Sequence, residues 1–152
     1  MTDSVQFSQT LRKWMDTFVH RSMRDSARFI KSSGFSMQQF FLLMQVRHRE
    51  HCGISDLSEN LEITNAAASQ LVDKLVQAGM LERTENPHDR RAKQVELSLK
   101  GQEFIAQGIE QRYRWVDEVT LKLSIEEQER IAEALNIMIR AADELEAEPV
   151  SG

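Results

Sequence analysis

ISDLSENLEITNAAASQLVDKLVQAGMLERTENPHDRRAKQVELSLKG, residues 54–101, changes its hydrophobic period partway along. Up to Gly79 the apolar residues recur at helical spacing. A short helix begins near Ser55 and carries Leu57 and Leu61. Glu62-Ile63-Thr64 breaks it, and Thr64 is a good N-cap for a second helix from Asn65 to about Ala78. Gly79 follows where a helix C-cap glycine belongs. Beyond it, Leu81–Thr84 is short and extended, and residues 94–99 alternate, with Val95, Leu97 and Leu99 on one face. Between them, residues 85–93 form a polar, proline-containing loop too long for a tight turn. The segment reads as helix, turn, helix, then a two-stranded ribbon with a projecting basic tip.

The flanks are helical. Phe7, Leu11, Trp14, Phe18, Met23 and Ile30 mark one long helix that ends near Gly34. Ser36 with Gln39 three residues later is a capping-box pattern, and it opens a helix whose buried side is Phe40, Phe41, Leu43 and Met44. After the ribbon, a helix from about Lys100 to Lys122 carries Phe104, Ile105, Ile109, Trp115, Val116 and Val119. Ser124 and Glu127 repeat the capping box before a last helix. Its apolar positions Ile131, Leu135, Met138, Ala142 and Leu145 are spaced as a helix-packing seam. The expected fold is mainly α with a small β-ribbon. It is a single domain over 1–152, with a winged helix-turn-helix core at 36–99 and long dimerisation helices at 5–33 and 100–147.

Length and composition agree with a soluble protein. At 152 residues the chain can bury a sizeable core. It lacks an apolar run of about 18 residues, so no transmembrane helix is expected. The start, MTDSVQFSQTLRKWMD, has no basic-then-apolar signal pattern, which points to the cytoplasm. The lone Cys52 cannot close an internal disulfide, in keeping with a reducing compartment. Net charge is −5, unevenly spread. Residues 1–50 carry eight Lys/Arg against four Asp/Glu, and residues 117–152 carry three against ten. The acidity predicts weak nonspecific binding to nucleic acid, while the local basic loop permits specific binding. No glycine-rich phosphate loop, Gly-x-Ser-x-Gly turn or helical His pair at metal spacing is present, so neither an enzyme nor a cofactor is expected.

Two helices joined by a short turn suit double-stranded DNA, because the second can enter the major groove. Its outward first turns must then be small or polar. Asn65, Ala66, Ser69 and Gln70 lie on one side, while Ala68, Leu71, Val72 and Leu75 lie on the other. The amides of Asn65 and Gln70 match adenine, and Lys74, a turn later, is placed for a phosphate. The candidate wing surface is Arg83, His88, Asp89, Arg90, Arg91 and Lys93.

Residues 54–101 resemble the DNA-binding core of the MarR family of bacterial and archaeal regulators. Three features carry the resemblance: the Leu71-Val72-Asp73-Lys74-Leu75 helix end, the Gly79-Met80-Leu81-Glu82-Arg83 exit and the Asp89-Arg90-Arg91 wing. The long flanking helices extend it over nearly the whole chain. One departure is Ser98-Leu99-Lys100-Gly101, where the family commonly has a Thr-rich turn; Ser98 can still cap the next helix. The resemblance implies a non-enzymatic homodimer held by the first and last helices, with two winged motifs on a pseudo-palindrome. It places Thr64, Asn65, Ala66, Ser69 and Gln70 toward the major groove and a wing arginine in the minor groove. Asp89 and Arg91 match the family's Asp-x-Arg pair, and either Arg90 or Arg91 can be the one that penetrates.

The family also implies a small aromatic or phenolic effector. Trp14, Phe18, His20, Arg24, Phe40, Met44 and Trp115 are its candidate pocket; most of these aromatics also suit a core. Cys52, flanked by His48, Arg49 and His51, is a second candidate sensor, by thiol chemistry. The thiol-sensing members place their cysteine near the first helix, and the zinc sensors use a histidine pair in the fifth, which is missing here. Metal binding is therefore not expected. The rival to a DNA-binding repressor is a winged helix that docks on a partner protein, which would expose apolar residues in place of the Asn65/Ser69/Gln70 face.

Overall fold

The computed structural model describes residues 3–49, 52–85 and 93–147. In chain order they form α1 (Ser4–Ser32), α2 (Met37–Arg47), β1 (Cys52–Gly53), α3 (Ile54–Asn60), α4 (Asn65–Gln77), β2 (Leu81–Glu85), β3 (Lys93–Leu97), α5 (Leu99–Thr120) and α6 (Ile125–Ala147). The chain, read from its length as one domain, groups into two compact units, Met1–Tyr113 and Arg114–Gly152.

Local chemistry sets the helix starts. At α2 the Ser36 hydroxyl accepts from Gln39 N at 3.1 Å, and Gln39 Oε1 accepts from Ser36 N at 2.8 Å. Ser124 and Glu127 repeat the arrangement at α6, at 3.2 and 2.8 Å. Thr64 Oγ1 accepts from Ala67 N at 3.1 Å and starts α4. Gly79 ends that helix with φ +73°, and Met80 N reaches back to Leu75 O at 2.9 Å, a left-handed helix exit that glycine adopts without steric cost.

The sheet is three-stranded and antiparallel, in the order β1-β3-β2. Leu81 lies opposite Leu97, Arg83 opposite Val95, and Glu85 opposite Lys93. On the other edge of β3, Cys52 lies opposite Val95. The sequence had suggested two strands with Cys52 in a turn; β1 is too short to carry a periodic signal of its own. Leu99 also departs from expectation. It does not continue the apolar strand face but begins α5, 71% exposed. Ser98 ends the strand, because its carbonyl and hydroxyl already accept from Gln102 N and Gly101 N, both at 3.0 Å.

The core of the first unit gathers Ile30, Phe40, Leu42, Leu43, Val46, Leu57, Val72, Leu75, Leu81, Val95, Phe104 and Ile105. α2 is buried on more than one side, touching α1, α3 and β3. Leu42 is therefore buried, whereas Phe41, expected inside, is 52% exposed. On α1 only Ile30 of the expected stripe is fully enclosed; Phe7, Trp14 and Met23 are exposed and Leu11 and Phe18 half-buried. In the second unit, Ile131, Leu135, Ile137, Ile139 and Leu145 of α6 are exposed.

The tightest junction joins the end of α4, the end of β3 and the start of α5. The Ser98 hydroxyl donates to Gly79 O at 2.5 Å while accepting from Gly101 N. Lys100 Nζ donates to Ala78 O at 3.0 Å. A Cβ on Gly101 would sit 2.1 Å from Met80 O, so only glycine lets α5 approach this closely. Gly101→Ala should therefore cost at least about 3 kcal/mol, and Ser98→Ala about 1–3 kcal/mol through the orphaned Gly79 carbonyl. Urea denaturation of both variants checks this order, and equal, sub-kilocalorie losses would contradict it.

Candidate DNA-binding surface

α3 and α4 meet across residues 61–64. Glu62 takes a left-handed conformation, φ +52°, unusual for a residue with a Cβ. The turn is held by Ile63 N donating to Ser58 O at 3.0 Å, Leu61 N to Leu57 O at 3.1 Å, and the Thr64 cap. Ala68, Val72 and Leu75 are fully buried, with Ala67 and Leu71 half-buried beside them. The opposite face of α4 presents Asn65, Ala66, Gln70 and Lys74 to solvent, and Ser69 is half-exposed. The small and polar residues picked from the sequence thus share the accessible side of one helix. Thr64 is exposed, and its hydroxyl serves as the cap.

Two contacts on this surface had no counterpart in the sequence reading. Asn65, the first residue of α4, is tied to α3: its Oδ1 accepts from the Ser58 hydroxyl at 2.6 Å. Arg83 does not stand alone as a wing base; from β2 its guanidinium donates to the Asp73 carboxylate on α4. Both contacts join residues separated along the chain and brought together by the turn between elements. Asp73 and Lys74 break the apolar run of α4's end, and the acid there was the signal for a basic partner. Lys93 is on β3 opposite Glu85, at the open end of the ribbon. His88, Asp89, Arg90 and Arg91 lie outside the described residues.

Residues 35–93, the span that holds α2 to the start of β3, match the family model described as MarR family. That span is a MarR-type domain. The chain is a helix-turn-helix transcriptional regulator of DNA-binding type, not an enzyme. It is 25% identical over 125 residues to the transcriptional repressor MprA of Escherichia coli (strain K12), a match covering 81% of this chain and 71% of that protein. The transcriptional regulator Tm0710 of Thermotoga maritima shares the fold with a TM-score of 0.80 at 24% identity, over 94% of this chain and 98% of the other. A mutant of S. aureus MepR, solved bound to an oligodeoxyribonucleotide, superposes with a TM-score of 0.69 at 16% identity, covering 87% and 97% of the two chains. Among the described residues, no helix is long and apolar enough to cross a membrane.

The residues expected to line an effector pocket differ in their surroundings. Phe40 belongs to the core: its ring meets Phe104 at 5.8 Å, nearly edge-on, and fills the space above Gly108, where a Cβ would come within 2.7 Å of it. Met44 packs against the same core. Phe18 pairs with Tyr113 at 6.1 Å. His20 and Arg24 are exposed on α1 and line an open groove with Asp16, Val19, Met23 and Ala27. Trp14 is exposed, and Trp115 is buried.

Cys52 is fully enclosed on β1. Burial pushes its thiol above the ordinary cysteine range, and the Asp56 carboxylate pushes it further; Arg49 opposes both. A thiolate is the reactive form, so both effects suppress thiol sensing by this residue. Alkylation by iodoacetamide at pH 7.5 should be slow in the folded protein and fast in urea; rapid labelling without unfolding would refute the inert reading. A thiol whose folded-state value is raised stabilises the fold fully below the unfolded value, about pH 8.5, and that contribution is lost as pH rises through the folded value. The melting temperature should fall above about pH 9, and less steeply in Cys52→Ala.

Proposed function

We propose that this MarR-family protein is a cytoplasmic repressor that binds a pseudo-palindromic operator as a homodimer. The observation that carries the reading is the exposed face of α4. Asn65, Ser69 and Gln70 offer hydrogen bonds there without an apolar patch, and Lys74 follows one turn later. A winged helix that docks on protein would expose large apolar side chains on that face. Asn65, Ala66, Ser69 and Gln70 meet base edges in the major groove, and Lys74 meets a phosphate. The wing residues Arg83, His88, Asp89, Arg90, Arg91 and Lys93 supply a minor-groove anchor. The related MprA being a repressor, and MepR having been solved with DNA, support this choice.

Dimerisation is supported by two apolar helix faces, each considered within its own unit. α1 exposes Val5, Phe7, Trp14, Met15, Val19 and Met23, and α6 exposes Ile131, Leu135, Ile139 and Leu145. Exposed large apolar side chains gathered on one helix mark an interaction site. A two-fold dimer then spaces two recognition helices about one turn of DNA apart, roughly 10 base pairs. A small aromatic or phenolic effector acts by favouring one dimer geometry over another. The α1 groove bearing His20 and Arg24 offers a cation for its carboxylate or phenolate.

Fluorescence anisotropy on DNA from upstream of its own gene, titrated with salt against random duplex, tests the regulator reading. Sequence-dependent binding with a steep salt slope is expected; no preference at any salt would overturn it. Gln70→Ala should lower discrimination by about 1–3 kcal/mol at one base position with little change on random DNA. An equal loss on both would reduce Gln70 to a backbone contact. Sedimentation of the full chain should give a dimer, and a chain ended before Ile131 should give a monomer or an aggregate.

A further inference from the structure

We propose that the cleft between the end of α2, β3 and the start of α5 binds a small zwitterion, a carboxylate and an ammonium group on a short apolar body. The cleft lies within the first unit and shares no residue with the α1 groove or the exposed face of α4. The proposal goes beyond the DNA-binding reading and does not depend on it.

The cleft has a volume of about 490 Å³, the size of a small-molecule site. Val46, buried near the end of α2, and Leu97 of β3 give it apolar walls. Four polar side chains line it as well: Arg47, Arg49, Glu96 and Gln102. A few polar groups converging on an apolar lining fix how a bound molecule is oriented.

The charges select the ligand. Arg49 is held in place from α3. Its Nη2 donates to Asn60 Oδ1 at 3.3 Å, and its Nη1 lies 4.0 Å from Asp56 Oδ1. Asp56 is anchored in turn, because its Oδ2 accepts from Gly53 N at 2.9 Å. A guanidinium fixed in this way keeps further N–H donors and has less freedom to lose when an anion arrives. Arg47 has no side-chain partner among the described residues. Glu96 holds only a long bond from the Thr84 hydroxyl, at 3.4 Å. It also lies opposite Glu82 on the ladder, and like charges so placed repel. A cation beside Glu96 relieves that repulsion. Neither arginine forms an ion pair with Glu96, although all three line the same cleft. Opposite charges therefore stand apart with space between them. A simple anion placed there meets the acid, and a simple cation meets two arginines. A molecule with one charge of each sign satisfies both sides.

The test titrates the full chain with two zwitterions and their singly charged analogues, followed by calorimetry and by amide shifts in NMR. L-phenylalanine, whose charges are adjacent, is compared with hydrocinnamate and phenethylamine. The compound ε-aminocaproate, whose charges are at opposite ends, is compared with caproate and pentylamine. At least one zwitterion should bind roughly tenfold more tightly than either of its analogues, the scale of one charge-assisted hydrogen bond. Which zwitterion binds reports how far apart the charges are read. The shifts should gather at residues 46–49, 96, 97 and 102. Arg47→Ala should lower that affinity about tenfold without moving the melting temperature. Glu96→Gln should weaken the zwitterion while leaving its carboxylate analogue unchanged or tighter; a variant that only loosened the fold would weaken both. No saturable binding of either zwitterion overturns the proposal. So do analogues that bind as tightly, or shifts confined to α1 around His20 and Arg24. These three outcomes are read on the wild-type protein, so they decide the matter even if a variant fails to fold.

Discussion

The approach of α5 to the Met80 carbonyl is the constraint on which the DNA-binding unit depends. At Gly101 the first turn of α5 comes so near that backbone that no side chain fits between them. The Ser98 hydroxyl closes the same junction by giving its proton to Gly79 O and taking one from Gly101 N. Three elements meet there: the end of α4, the end of the central strand and the first turn of a 22-residue helix. Each leaves unpaired backbone groups at its terminus, and each supplies what another lacks. The positive-φ exit at Gly79, the side-chain cap from Lys100 and the missing Cβ at Gly101 are one solution to one packing problem.

From that junction α4 is held at one end by its C-terminus and at the other by the turn from α3. Along its length it contacts the ribbon through Asp73 and Arg83. That ion pair is exposed on both sides, so it contributes little to stability, under about 1 kcal/mol. Its weight is geometric: it sets an arginine of the strand against a carboxylate of the helix, so that the ribbon and the helix share one orientation. Beneath them the enclosed Cys52, Val95 and Leu81 continue the core into the sheet.

What was legible in the sequence was what is local. Ser36 with Gln39, Ser124 with Glu127, Thr64, and Gly79 each announce a helix end within three or four residues, and each stands where expected. The core face of α4 was equally readable, because Ala68, Val72 and Leu75 repeat at helical spacing. What escaped depends on partners far along the chain. β1 is two residues long and exists only because β3 pairs with it. Leu99 looked like a strand residue until Ser98 turned the chain. Phe40 and Met44 suited a pocket by chemistry but are taken by Phe104 and the core. Ser58 with Asn65, and Asp73 with Arg83, join residues across a turn, where no spacing rule of a single helix or strand applies. The contacts that tie α4 to its neighbours were therefore the part least visible in the sequence.

The ladder between β2 and β3 has a consequence for how the chain can vary in length. Glu85 and Lys93 are the last pair among the described residues, so a change of length between them leaves the described pairs from Leu81 with Leu97 to Glu85 with Lys93 in register. The other end has no such freedom. One residue, Ser98, separates the end of β3 from the start of α5, and it must bond Gly79 and Gly101 at once. An insertion there would detach the cap or slide Gly101 away from Met80 and bring a side chain into the gap. Chain length can therefore vary between the two strands, while the passage from strand to helix keeps its length.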